Sequence, residues 1–161
     1  RNLDFLPRAF LVHRAHVVSG AEEALEGIRG GGQREVVLSD YTGPVPAPGE
    51  PTASLQGENV EVALWKPGQI KVKANVASPG FLVLSETFYP GWRATVNGSE
   101  VPIVRANLLF KAVYLPVGEH TVEFLYYPDS FVQGVIVSIA SLSLVVVVLA
   151  VWRLTTGTAI R

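Results

Sequence analysis

The chain has 161 residues, enough for one domain with a sizeable core plus an added element and too few for two independent soluble domains. Lys and Arg number 13 against 14 Asp and Glu, a net charge of -1 that gives no electrostatic case for a nucleic-acid partner, which would need a basic patch or stripe. Cysteine is absent, which excludes disulfides and thiolate metal sites, while the start at Arg1 and the lack of methionine predict a piece of a longer polypeptide.

Phe10 to Ser19 reads as a strand. Ala21, Ala24, Leu25 and Ile28 then share one helical face, with Ser19 and Glu22 as a capping box and Gly30-Gly31-Gly32 as the stop. Glu35 to Leu38 closes this strand-helix-strand lead-in, which occupies residues 1–39. Residues 40–59 contain Pro44, Pro46, Pro48 and Pro51 without periodicity and read as a mobile Pro/Gly-rich loop.

From residue 60 the pattern is that of strands. Val60, Val62 and Leu64 alternate with Glu61 and Ala63; Ile70, Val72, Ala74 and Val76 alternate with Lys71, Lys73 and Asn75; Lys66-Pro67-Gly68 turns between them. Phe81 to Leu84 is a continuous apolar run, the mark of a strand covered on both faces. Trp92 to Val96 and Val101 to Val104 flank Asn97-Gly98, a dipeptide suited to a type I′ hairpin. Phe110 to Leu115 and His120 to Tyr127 flank Pro116 to Glu119. Short strands at this spacing predict a mainly β fold, an antiparallel β-sandwich over residues 60–129.

No Asp, Glu, Lys or Arg occurs from Ser130 to Trp152, and this stretch shows no polar face. As a helix rising about 1.5 Å per residue it spans about 30 Å of hydrocarbon, which predicts a transmembrane helix over 130–153 in contact with membrane lipid. Arg153 and Arg161 follow the span and Glu119, Glu123 and Asp129 precede it, so the tail 154–161 is expected to be cytoplasmic and the preceding residues extracytoplasmic. Trp152 at one end and Tyr126 and Tyr127 at the other fit interfacial aromatic belts.

No catalytic, cofactor or metal site is expected. His13 and His16 lie three apart on one predicted strand and point to opposite faces, His120 has no partner at ligand spacing, and the glycine triplet follows a helix instead of opening one. Glu22-Glu23 and the Glu58, Glu61 pair are explained by solvated faces, so a free-standing hydrolase is disfavoured. The cluster Glu86 to Arg93, with Arg105-Ala106-Asn107, combines aromatic rings with Arg and Asn, which suits stacking on a sugar and bonding its hydroxyls. Tyr89, Trp92, Arg93, Arg105 and Asn107 are the candidate glycan contacts, although Trp92, Ala94 and Val96 also alternate as a core face and favour the structural reading. Asn97-Gly98-Ser99 formally matches a glycosylation acceptor, but the hairpin turn already accounts for it.

Tyr89 to Gly98, Arg105-Ala106-Asn107, Phe110 to Val113, Pro116 to Val122, Tyr127-Pro128 and Gly134 together resemble the C-terminal end of the bacterial YfhO family, and Asn2 to Phe10 looks like the start of the same segment. Asn97 stands where the family more often has Asp, a change the turn tolerates. The resemblance implies a polytopic parent of the glycosyltransferase type that uses lipid-linked sugars. Its catalytic acid would lie in an early outside loop, so none is carried over to this chain. The implied role is a non-catalytic accessory domain that packs on the N-terminal membrane part of the same polypeptide or contacts glycan or lipid-linked sugar. The alternative is a single-pass, membrane-anchored surface domain with a structural or protein-binding role.

Overall fold

The computed structural model describes residues 7–30, 35–46 and 57–157. In chain order the elements are β1 (Ala9–Val12), β2 (Arg14–Val18), α1 (Ala21–Gly30), β3 (Glu35–Ser39), β4 (Asn59–Lys66), β5 (Gln69–Val76), β6 (Gly80–Leu84), β7 (Trp92–Val96), β8 (Ser99–Val101), β9 (Val104–Ala106), β10 (Phe110–Leu115), β11 (Gly118–Tyr126) and α2 (Asp129–Gly157). The strands form two mostly antiparallel sheets, as the period-two alternation predicts. Residues 47–56 of the Pro-rich loop, Gly31 and Gly32 of the glycine stop and residues 158–161 of the tail lie outside the described residues.

The first sheet has the order β1-β6-β10-β9-β3-β2, so its two edges are consecutive in the chain and separated by His13 alone. Two Cα steps cover at most about 7.6 Å, so the end of β1 and the start of β2 must lie together. The sheet therefore curls on itself, and β1 and β2 are the halves of one bent strand. This corrects the reading of Phe10 to Ser19 as one regular strand: the chain must leave one partner, β6, and reach the other, β3, and it bends at His13 to do so. The bend is tied down by the His13 ring, whose nitrogens lie 3.1 Å from the Pro79 carbonyl oxygen and 3.0 Å from Glu58 Oε2.

The curl encloses Val12, Val36, Leu38, Phe81, Val83, Val104, Ala106 and Ala112. Its outer face packs on the second sheet, order β4-β5-β11-β7-β8, through Ala9, Leu82, Leu84, Val113 and Leu115 against Ile70, Val72, Ala74, Val76, Ala94, Val122 and Phe124. Both faces of β6 are thus buried, as its continuous apolar run predicts.

On the other side of the curl, β2 and β3 run parallel and α1 makes the crossover between them, seating Ala24 on Val18 and Val37. Gly27 allows this approach, because a Cβ there would meet Val37 Cγ2 at 3.1 Å. The cap differs from the expected box by one residue. The helix starts at Ala21 after Gly20 in a left-handed conformation, so Glu23 at the third helical position, and not Glu22, accepts from the Ser19 N–H at 2.9 Å.

Two further details depart from the alternation. A bulge between Val62 and Leu64 shifts the phase of β4, so Val60 and Trp65 face the core. The expected strand from Val101 to Val104 is broken at Pro102, which has no N–H for a ladder; β8 ends at Val101 in the second sheet and β9 begins at Val104 in the first. The β7-β8 hairpin has the expected turn, with Asn97 at φ 51° and Gly98 at φ 84°.

From Tyr127 onward the chain forms a separate compact unit. Its helix α2 has the length and apolar composition to cross a membrane from Asp129 to Leu154. Ser138, Ser141 and Ser143 each donate a hydroxyl hydrogen bond to the carbonyl four residues earlier, at 2.8 Å.

Closure of the first sheet makes Gly80 a sensitive position, since a Cβ there would lie 2.7 Å from the Val12 carbonyl oxygen and from His13 Nδ1. Gly80→Ala is expected to lower stability by about 2 kcal/mol through this overpacking. Denaturant unfolding of the reconstituted chain checks it, with Gly30→Ala, where a methyl meets nothing, as the control.

Candidate functional site

The outer face of the curled first sheet is covered by the second sheet on one side and by α1 on the other. Between the two covers, β3, β9 and β10 run side by side. Register pairs Ser39 with Arg105 and Arg105 with Lys111, so these three residues form one row across adjacent strands. Strand parity puts Arg105 on the face opposite Val104 and Ala106, both of which turn into the curl. Lys111 likewise shares the face of Val113 and Leu115.

The segment after β6 lies over this row. Ser85 anchors it by donating its N–H to the Arg8 carbonyl at 2.9 Å, and the Phe88 N–H donates to the Leu109 carbonyl at 2.6 Å. Phe88 then places its ring centroid 5.0 Å from the Arg105 guanidinium carbon. Trp92, at the start of β7, places its ring centroid 3.4 Å from Lys111 Nζ. Each cation of the row is therefore faced by an aromatic ring.

Lys111 is fully buried and its ammonium has no hydrogen-bond partner. Burial pushes its pKa down to about 8, while the negative charge of Glu86 acts in the opposite direction. Ser39 Oγ is buried and unpartnered as well. Ser39 and Arg105 open onto a cleft of about 530 Å³, lined also by Asp40, Tyr41, Phe88 and Pro102. Tyr41 sits edge-on to Phe81 and donates its hydroxyl to the Pro44 carbonyl at 3.0 Å; burial, then the nearby Tyr114, raises its pKa.

The five residues proposed from sequence do not form one patch. Trp92 and Tyr89 both meet Tyr126, with ring centroids 5.4 Å and 6.5 Å away, and Arg105 enters the cleft beside Phe88. Arg93 follows Trp92 directly in β7 and so projects from the opposite face of the second sheet. Asn107 is at φ 47° and has its side-chain oxygen engaged by the Val37 N–H at 2.9 Å, while its own N–H donates to the Val37 carbonyl. It fastens β9 to β3.

Lys111 and Ser39 were missed, and Phe88 was visible only as part of the Glu86 to Arg93 cluster. The signal for Lys111 was present in Phe110 to Leu115, where it stands in phase with Val113 and Leu115, a charge at a core position. The histidines are engaged separately: His13 with Glu58, His16 with Glu35 at 3.0 Å, and His120 through Nε2 with the Pro116 carbonyl at 2.8 Å and through Nδ1 with Asn97. Among the described residues no three His, Asp or Glu side chains gather as metal ligands.

Residues 50–138 match the family described as bacterial membrane protein YfhO. The chain belongs to the YfhO family. The match runs from before β4 into the first turns of α2, so it takes in the whole second sheet together with β6, β9 and β10 of the first. The chain is similar to the uncharacterised protein YfhO of Bacillus subtilis (strain 168), with 25% identity over 89 residues, which is 55% of this chain and 10% of that protein. The chain thus spans about a tenth of the length of this curated relative. No solved structure matches it significantly. Family and apolar helix together make this a YfhO-family membrane protein, with the row and its cleft inside the matched segment except for the β3 residues and Asp40 to Pro44.

Removing the buried charge tests the account of Lys111. Lys111→Met in the YfhO chain is expected to raise stability at pH 7 by about 2 kcal/mol, because an apolar side chain of similar volume needs no desolvation. The folded pKa, about 8, lies below the ordinary 10.5, so between them the unfolded chain holds a proton the folded chain has lost. Wild-type stability therefore rises with pH across that window, and the advantage of Lys111→Met shrinks. Urea unfolding at several pH values reads both.

Proposed function

We propose that the chain is a non-catalytic accessory domain of a polytopic YfhO-family glycosyltransferase and contacts the glycan or lipid-linked sugar on the outer side of the membrane. The observation that carries this reading is the cleft beside Arg105. Its volume of about 530 Å³ is that of a small-ligand site, and it sets the Phe88 and Tyr41 rings beside a guanidinium, a carboxylate and a free hydroxyl. Aromatic faces suit the apolar face of a sugar ring, and the polar groups suit its hydroxyls. The basic residue Arg153, near the C-terminal end of the apolar span, supports a cytoplasmic tail.

Two measurements test the reading. This chain has no cysteine, so single cysteines in the reconstituted or expressed chain report topology without background. Glu100→Cys, in exposed β8, is expected to react with an impermeant maleimide on intact cells, and Arg161→Cys only after permeabilisation. The reverse pattern would overturn the outside placement. In the full-length family protein, Pro102→Trp, which fills the exposed rim of the cleft, is expected to lower glycan transfer about tenfold. Transfer at the wild-type rate with normal membrane insertion would remove glycan contact from the role.

A further inference from the structure

The row at the seam between the two covers has more donors than the protein uses. Ser39 supplies one hydroxyl hydrogen, Arg105 five N–H groups and Lys111 three. Neither Ser39 Oγ nor Lys111 Nζ has a partner, and no ion pair among the described residues engages Arg105, whose recorded contact is the face of Phe88. Unmade hydrogen bonds at buried groups are costly, and an apolar residue would fill the Lys111 position more favourably if packing were its task. Adjacent strands stand about 4.8 Å apart, so the three side chains span about 10 Å, the breadth of a phosphoryl group with part of its substituent.

We propose that Arg105 and Ser39, with the buried charge of Lys111 behind them, form a binding site for the phosphoryl group of a phosphorylated sugar, entered through the cleft beside Arg105. The inference rests on the accessory-domain reading and names the ligand class for its cleft. Arg105 meets the phosphoryl oxygens in the open cleft, where a guanidinium offers paired N–H groups in the geometry those oxygens accept. The Ser39 hydroxyl, one strand away and without a partner, donates to the same group. Lys111, one strand from Arg105 and covered by Trp92, does not line the cleft and contributes only its charge. The cleft also holds a group that repels a bare anion: Asp40 lines the rim. Its carboxylate accepts hydroxyl hydrogens, which a sugar phosphate has and inorganic phosphate at neutral pH offers far less of, so the pairing of Asp40 with Arg105 favours the sugar ester. The Phe88 and Tyr41 rings supply the flat apolar surface for the pyranose.

The same phosphoryl chemistry occurs in lipid-linked and in soluble sugar phosphates. The full chain reconstituted in phosphatidylcholine vesicles is therefore titrated with glucose 1-phosphate, with undecaprenyl-phosphate-linked glucose carried in the vesicle, and with methyl glucoside. Binding is followed by tryptophan fluorescence, to which Trp92 above Lys111 contributes. At least one phosphorylated probe is expected to bind, and which of them does so identifies the source. Arg105→Gln is expected to weaken it about tenfold or more and Ser39→Ala severalfold, while Arg93→Gln on the opposite sheet face leaves it unchanged. Because Arg105 is exposed, its replacement leaves the core intact, and Ser39→Ala provides a second, smaller change. Binding of methyl glucoside equal to that of the phosphorylated probes and insensitive to Arg105→Gln would overturn the phosphoryl site and leave the glycan reading standing. Absence of binding by both phosphorylated probes would overturn it outright, and loss of glycan transfer in Pro102→Trp would still speak for the broader role.

Discussion

The constraint on which the β-domain depends is that one strand must serve two partners. Because β1 and β2 are separated by a single residue yet pair with opposite ends of a sheet, the first sheet has no freedom to lie flat. Closure gives the domain two cores, one inside the curl and one between the sheets, and β6 separates them with alternate side chains. The edges of the second sheet are β4 and β8, where a bulge interrupts β4 and β8 is only three residues long.

The seam is a direct product of this arrangement. A curled sheet has a convex outer face, and neither a flat second sheet nor a ten-residue helix covers all of it. The strip left between them falls on β9, whose middle residue is Arg105. Arg105 is exposed there, while Ser39 Oγ and Lys111 Nζ stay buried beside it. Phe88 from the segment after β6 and Trp92 from β7 then face the cations without neutralising them.

Much of the fold was legible because it rests on local rules. The alternation in β5, the doubly apolar β6, the Asn97-Gly98 turn and the uniform apolar length of α2 each follow from two- or three-residue preferences or from simple periodicity. The curl was hidden because it depends on the pairing of residues such as Arg14 and Glu35 across an intervening helix, which no local pattern encodes. The break at Pro102 had a local sign, the missing N–H, but the neighbouring valines masked it. The site was legible only in part. Arg105 and the aromatic segment were visible as a cluster, whereas Arg93 beside Trp92 showed that neighbours in a strand are on opposite faces in space. Lys111 was overlooked because a lysine among apolar residues is ordinarily a solvated side chain, and its burial is decided by Trp92, which arrives from the other sheet.

The serines of α2 bear on the order in which such a protein is assembled. Each hydroxyl closes on the backbone of its own turn, so the helix has already satisfied these polar groups before it meets any neighbour. A span of this kind can leave the insertion machinery for the bilayer alone and wait there as an independent stage, held by its apolar length and not by a waiting companion helix.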